Sequence, residues 1–245
     1  MNSTIELLKS HRSIRKFTDQ PIDRAILAEL MLAGQAAASS SFLQGVTVIR
    51  VTDPSIRNGF FEISNNQGQV QKAPEFLVFC ADLDRAHRCC DWHDREAIKG
   101  FTEQFIIASV DVALYAQNMV VAAESVGLGI CYIGAIRNDP QRASDLLGLP
   151  DHVYPVFGLC IGHPDQNPEV KPRLPLSVMF KENNYKSEQE RDDIAAYDEV
   201  VRAYYASRSG NPKSQSWSEQ MAGLLDKEAR PHMREFLRKR GFEMK

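Results

Sequence analysis

Near the N-terminus, Ser10-His11-Arg12-Ser13-Ile14-Arg15-Lys16-Phe17 gathers two arginines, a histidine and a serine within one turn or so of chain. Arg12 and Arg15 are three apart and can share one face of a helix or turn. A guanidinium presents a rigid fork of donors that suits phosphate oxygens, and His11 and Ser13 add neutral donors. The run reads equally as an anion clamp or as a solvated basic turn. A second cationic stretch, Lys171-Pro172-Arg173-Leu174-Pro175, holds two cations between prolines that fix the backbone. That stiffness suits a preorganised anion site; an exposed loop with incidental charge is the alternative. The formal net charge is −3, so there is no global basic excess to attract a nucleic acid. Local basic clusters in such a chain imply particular anions.

Three further segments carry candidate chemistry. Gly127-Leu128-Gly129-Ile130-Cys131-Tyr132-Ile133-Gly134 evokes a dinucleotide fingerprint, but Tyr132 stands where the third glycine belongs, and the glycines follow a helix instead of a strand. They either end a helix and allow close packing or let backbone approach a flat ring. Ser39-Ser40-Ser41-Phe42 offers hydroxyls to a ligand's carbonyls or ring nitrogens, or is a plain loop. His87-Arg88-Cys89-Cys90-Asp91-Trp92-His93 lacks a zinc spacing and reads as a solvated surface segment. No Ser-His-Asp order, paired carboxylates or metal ligand set stands out, so no catalytic acid, base or nucleophile is assigned. The five cysteines are odd in number and read as reduced, cytoplasmic thiols.

The elements that must position these residues follow from periodicity. Ser3-Thr4-Ile5-Glu6 has capping-box spacing and predicts a short helix to about Ser10. A second helix follows Asp23, with Ile26, Leu27, Leu30, Met31 and Gly34 on its apolar side. Strands are predicted at Val46–Val51, Phe76–Cys80, Ile130–Ile133 and Val153–Ile161, with Asn65–Gln69 as loop. A long buried helix is predicted from about Phe101 to Val126, ended by Gly127 and Gly129. Its apolar stretch is broken by Asp111, Gln117 and Asn118, and no segment approaches the ~20 apolar residues of a membrane span. Pro140–Leu147 reads as helix, 163–175 as irregular, and Ile194–Tyr205 and Ser218–Arg240 as polar helices. Residues number 245, of which 43% are hydrophobic and 25% charged; a chain this long buries roughly 70–75% of its unfolded surface. Long helices between strands predict one central sheet in a mixed α and β sandwich, not a doubly wound Rossmann sheet.

HRSIRKF, SSSF, GLGICYIG and KPRLP, in this order and spacing, resemble the oxygen-insensitive nitroreductases, in the branch of the major NADPH nitroreductases and flavin reductase P. The similarity covers almost the whole chain. It implies a homodimer of α+β subunits with a mixed, largely antiparallel central sheet flanked by helices. A single FMN-binding domain would span residues 1–245, with a helical C-terminal extension from about 176. FMN would sit at the dimer interface. His11, Arg12, Ser13 and Arg15 would hold its phosphate and flavin edge, with Lys171 and Arg173. Ser39, Ser40 and Ser41 match a polar stretch donated by the partner subunit. Gln67 matches a glutamine that meets the flavin, and Tyr132, Ile133 and Gly134 match the backbone along the ring. Ala135 departs from a frequent glycine, and Ala38 from a serine in some relatives. Arg208 and Lys213 match basic positions that recognise the extra phosphate of NADPH, Lys213 replacing an arginine.

The implied activity passes hydride from NADPH through flavin N5, in ping-pong fashion, to nitroaromatics, quinones or similar acceptors. Supplying free reduced FMN to another enzyme is the alternative, reductive dehalogenation or chromate reduction a second, and a non-catalytic flavin-binding protein a third. The implied setting is cytoplasmic, with no nucleic-acid or membrane partner.

Overall fold

The computed structural model describes residues 2–208 and 214–245. Four strands, β1 (Val46–Arg50), β2 (Glu75–Asp82), β3 (Gly129–Ile133) and β4 (Val153–Gly162), form one sheet in the order β1-β2-β4-β3. All three pairings are antiparallel, with a bulge in the β2–β4 register at Phe79/Cys80. The only parallel pairing among the described residues is an isolated bridge from Ser13 to Ile130. This is the α+β sheet expected from the sequence.

Strand alternation builds the core. Side chains along a strand point to opposite faces in turn, so β2, buried at every position, feeds two clusters. Leu77, Phe79 and Ala81 pack with α2 (Arg24–Gln35), α6 (Thr102–Ser125) and α11 (Met233–Lys239). Phe76, Val78 and Cys80 pack with α3 (Pro54–Ile63), α4 (Gly68–Lys72) and α7 (Pro140–Leu147). The sheet is therefore the middle of three layers. These elements belong to one compact unit, residues 1–167 with 230–245. Residues 168–229 form a second, holding α8 (Leu176–Met179), α9 (Glu190–Ser207) and α10 (Trp217–Leu225) around Tyr197, Val201 and Tyr205.

Several local expectations change. The cap of α1 (Ser3–Lys9) is Asn2, whose side chain accepts from the Thr4 N–H, so the Ser3–Glu6 box is not what starts it. Ile26 is exposed, and α2 buries Leu27, Leu30 and Gly34. Asn65 and Asn66 adopt left-handed backbone, but Gln67 is the N-cap of α4, so the presumed loop ends in a helix. α3 was not predicted, although Asp53-Pro54 is a cap followed by a first-turn proline. The single helix expected over 218–240 is two, α10 and α11. His87–His93 lies mostly on α5 (Asp84–Trp92), and His87 is buried instead of solvated. α6 also departs from expectation: by length and hydropathy it is apolar enough to cross a membrane. Its buried Asp111 and its packing against the sheet are those of a core helix.

Candidate active site

β3 is an outer strand of the sheet, and the basic N-terminal run lies against its free edge. Ile14 N–H donates to the Ile130 carbonyl at 2.8 Å. Gly129 permits this approach, because a Cβ there would fall 2.6 Å from Ile14 Cγ1. Ile14 is buried, Arg12 and Ser13 are half-buried and Arg15 is exposed. Neither guanidinium has an ion-pair partner among the described residues. Since the Ile130 carbonyl faces the edge, alternation turns the N–H and C=O of Tyr132 the same way.

The two faces of β3 gather different groups. On one, the Cys131 thiol is pushed up by burial, a shift opposed by Arg15 and by a hydrogen bond with Gln69. Gln69 Nε2 donates to Gln67 Oε1 at 2.8 Å. Arg15, Cys131, Gln69 and Gln67 are thereby linked. On the other face, burial pushes the Tyr132 phenol up to about 12, and the charge of Glu124 adds to this. Tyr132 packs edge-on against Phe157, with centroids 5.0 Å apart, so its ring belongs to the core. Glu124 Oε1 lies 2.6 Å from His11 Nδ1. An ionised carboxylate only accepts, so Nδ1 carries the proton and Nε2 remains for another partner. Gly134 follows directly after β3, in a short 3-10 turn. A cavity of about 660 Å³ opens beside Ser10, Arg12, Glu124, Gly129 and Gln166, a size that suits a small-molecule ligand.

Ser39, Ser40 and Ser41 occupy a different loop, between α2 and β1. Ser41, Phe42 and Gln44 all have positive φ, at 50°, 56° and 53°, each costing about 1–3 kcal/mol for a residue with a Cβ. Asp111, 3% exposed on α6, holds both ends of this loop. It accepts from Ser39 Oγ at 2.6 Å and from Gly45 N–H at 3.1 Å, with a longer contact of 3.4 Å to Ser40 N–H. Ser40, Ser41 and Phe42 are left exposed at the tip.

The second unit brings together Lys171, Arg173 and Arg208. Tyr197 donates its hydroxyl to the Pro172 carbonyl at 2.8 Å, pinning the Lys171–Pro175 segment. Burial raises the Tyr197 phenol, and the charges of Lys171 and Arg173 oppose that shift. Lys171 Nζ lies 5.4 Å from the Tyr205 ring centre, and the Arg208 guanidinium 5.8 Å from it and 5.7 Å from that of Tyr204. Lys213 lies outside the described residues.

Glu124, Asp111 and Gln69 were missed as site residues from sequence. Asp111 left a legible trace as a carboxylate inside an apolar helix; the others are ordinary polar residues until the fold brings them to the edge of β3.

The family model described as "Nitroreductase family" matches residues 8–163, and "Nitroreductase family, C-terminal domain" matches residues 171–245. The chain is 48% identical to the NADPH-flavin oxidoreductase of Vibrio harveyi, over 98% of each protein. It is 43% identical to the oxygen-insensitive NADPH nitroreductase of Salmonella typhimurium, over 99% of each. Among solved structures, the NADPH:FMN oxidoreductase from V. harveyi complexed with NAD+ superposes with a TM-score of 0.91 at 44% identity, over all of both chains. With both family models matched and full-length relatives at 48% and 43% identity, the chain belongs to the nitroreductase family.

Proposed function

We propose that the protein is an FMN-dependent NADPH oxidoreductase whose flavin phosphate and ring edge are held by the segment lying on the open edge of β3. The observation that carries this reading is the pair of guanidiniums, Arg12 and Arg15, without an ion-pair partner among the described residues and set beside outward-facing backbone of β3. Such a donor set fits a ligand that is both a phosphate anion and a flat heterocycle with hydrogen-bonding edges. Bound FMN supplies the hydride relay between nicotinamide and acceptor, and cations near its pyrimidine edge favour the reduced form. The chain's own work is to bind, orient and tune. His11, Arg12, Ser13, Arg15 and Gln67, with the backbone of Tyr132, Ile133 and Gly134, are the cofactor-binding residues in this reading. Lys171 and Arg173 are further cofactor-binding residues in this reading, and Arg208 and Lys213 are its NADPH-recognition residues.

The names of the relatives support this chemistry: V. harveyi NADPH-flavin oxidoreductase and S. typhimurium NADPH nitroreductase share the fold and nearly all of the chain. We further propose a cytoplasmic homodimer with no membrane or nucleic-acid partner, in which the Ser39-Ser40-Ser41 stretch meets the flavin of the partner subunit. An exposed apolar stripe on α6, Ile106, Val110 and Leu114 at 46%, 49% and 42%, supports the dimer, since the opposite face of that helix is already buried in the core. One FMN-binding domain spans the whole chain in this reading, with 176–245 as its extension. Its end is anchored, because Phe236, Leu237 and Phe242 are buried in the main core.

The test is direct. Purified protein is expected to be yellow, to release FMN on boiling, and to oxidise NADPH with nitroaromatic or quinone acceptors. A colourless protein that releases no flavin would end the proposal. Using free FMN as an efficient acceptor would instead favour the flavin-supplying alternative.

A further inference from the structure

We propose that Asp111 is a positioning residue for cofactor binding: it clamps both ends of the Ser39–Gly45 loop, uses the Ser39 hydroxyl as a strut, and so presents the Ser40 and Ser41 hydroxyls to the flavin. This rests on the FMN reading above and goes beyond it by dividing the three serines between two tasks.

The hydrogen bonds carry the argument. Ser39 Oγ donates to Asp111 Oδ2 at 2.6 Å and accepts from the Gln44 N–H at 2.7 Å. Its proton and one lone pair are therefore committed inside the protein. The same Oδ2 accepts from Gly45 N–H, and Gly45 C=O accepts from the Asp82 N–H at 3.0 Å. One carboxylate thus fastens the start of the loop to its exit into β1, and a backbone hydrogen bond ties that exit to the end of β2. Ser40 and Ser41 are exposed and donate no side-chain hydrogen bond within the described residues. Asp111 is the only acidic residue among the buried positions of α6, and the hydrogen bonds it accepts among the described residues come from this loop. A carboxylate with two well-placed oxygens can hold all three donors; an amide can accept with only one atom.

The experiment compares Ser39→Ala, Ser39→Thr, Asp111→Asn and the Ser39→Ala/Asp111→Asn double variant. Each is purified as full-length protein and stripped of flavin. The readouts are the FMN dissociation constant by flavin fluorescence and the melting temperature of the flavin-free form. Loss of one charge-assisted hydrogen bond predicts FMN binding weaker by about tenfold or more in Ser39→Ala and Asp111→Asn. The double variant is expected to be no weaker than the worse single one, because both remove the same strut, and Ser39→Thr, which keeps the hydroxyl, restores binding. Lower melting temperatures with unchanged FMN affinity in Ser39→Ala would show a merely structural clamp and overturn the proposal. So would additive losses in the double variant. Should Asp111→Asn fail to fold, the Ser39→Ala and Ser39→Thr pair still decides. Wild-type protein that binds no FMN would instead strike down the functional reading itself.

Discussion

A guanidinium has value in a site only where nothing else neutralises it. Arg50 is held by Glu75 in a two-point ion pair and Arg142 by Glu62, and such cations are spent. Arg12 and Arg15 are not. Arg15→Ala is therefore expected to weaken FMN retention by about ten- to a hundredfold, the loss of one charge-assisted bond, measured as flavin per protomer after dialysis. Arg208 should behave differently. It lies over two tyrosine rings in the second unit, and its proposed role is to receive the nucleotide's extra phosphate. Arg208→Ala should raise the KM for NADPH with flavin content nearly unchanged, and the wild-type enzyme should prefer NADPH to NADH. Flavin loss in Arg208→Ala would assign that arginine elsewhere. His87 is a separate case. Both ring nitrogens are buried without a hydrogen-bond partner among the described residues, and the ring meets that of His152 edge-on at 4.6 Å. Burial lowers its pKa, with His152 and Lys99 adding to the effect and Asp84 and Asp91 opposing it. A histidine held neutral by the fold leaves stability intact above its unfolded value of about 6.5 and erodes it as pH falls below that. His87→Phe should flatten this acid-side loss, seen as a melting temperature that falls less between pH 7 and pH 5 than in the wild type.

Edge strands expose unpaired backbone groups that a protein must cover or use. On β3, Ile130 takes the Ser13–Ile14 segment, and the stretch beyond it is where the flavin is proposed to lie. Gly129 controls this junction, since Ile14 occupies the space a Cβ would need. Gly129→Ala is expected to destabilise the protein by about 1–3 kcal/mol through overpacking, and to lower flavin content by displacing Arg12 and Arg15. Denaturant unfolding together with flavin absorbance would check both effects. The sequence marked these glycines as helix enders. Gly127, at φ +80°, does follow the helix in that way, whereas Gly129 belongs to the strand.

At the scale of the whole molecule, α6 turns one side to the sheet and leaves Ile106, Val110 and Leu114 uncovered. A lone charge on that stripe should not disturb the protomer core, because Val110 is half-exposed. Val110→Glu is therefore expected to shift the protein from dimer to monomer in sedimentation or size-exclusion measurements, with loss of flavin if a loop from each subunit completes the other's site. A monomeric wild-type protein would remove the basis for that expectation.

Much of this was present in the sequence because it depends on local order. Alternation and β-branching marked the four strands, a 24-residue apolar helix declared itself, and the basic runs and glycines lay in a sequence order specific enough to indicate the family. What the sequence could not supply was partnership across distance. Glu124 is 113 residues from His11, and Asp111 is 72 from Ser39; no local periodicity encodes such meetings. His87 looked like a surface residue because its neighbours are polar, yet the fold buries it, with the ring of His152, 65 positions away, packed edge-on against it. The residue types that could hold a phosphate and a ring were fixed by sequence. Which cations stay unpaired, and which serine is a strut, was decided by tertiary structure, because a side chain's chemistry is set by the groups that the fold leaves within hydrogen-bonding distance of it.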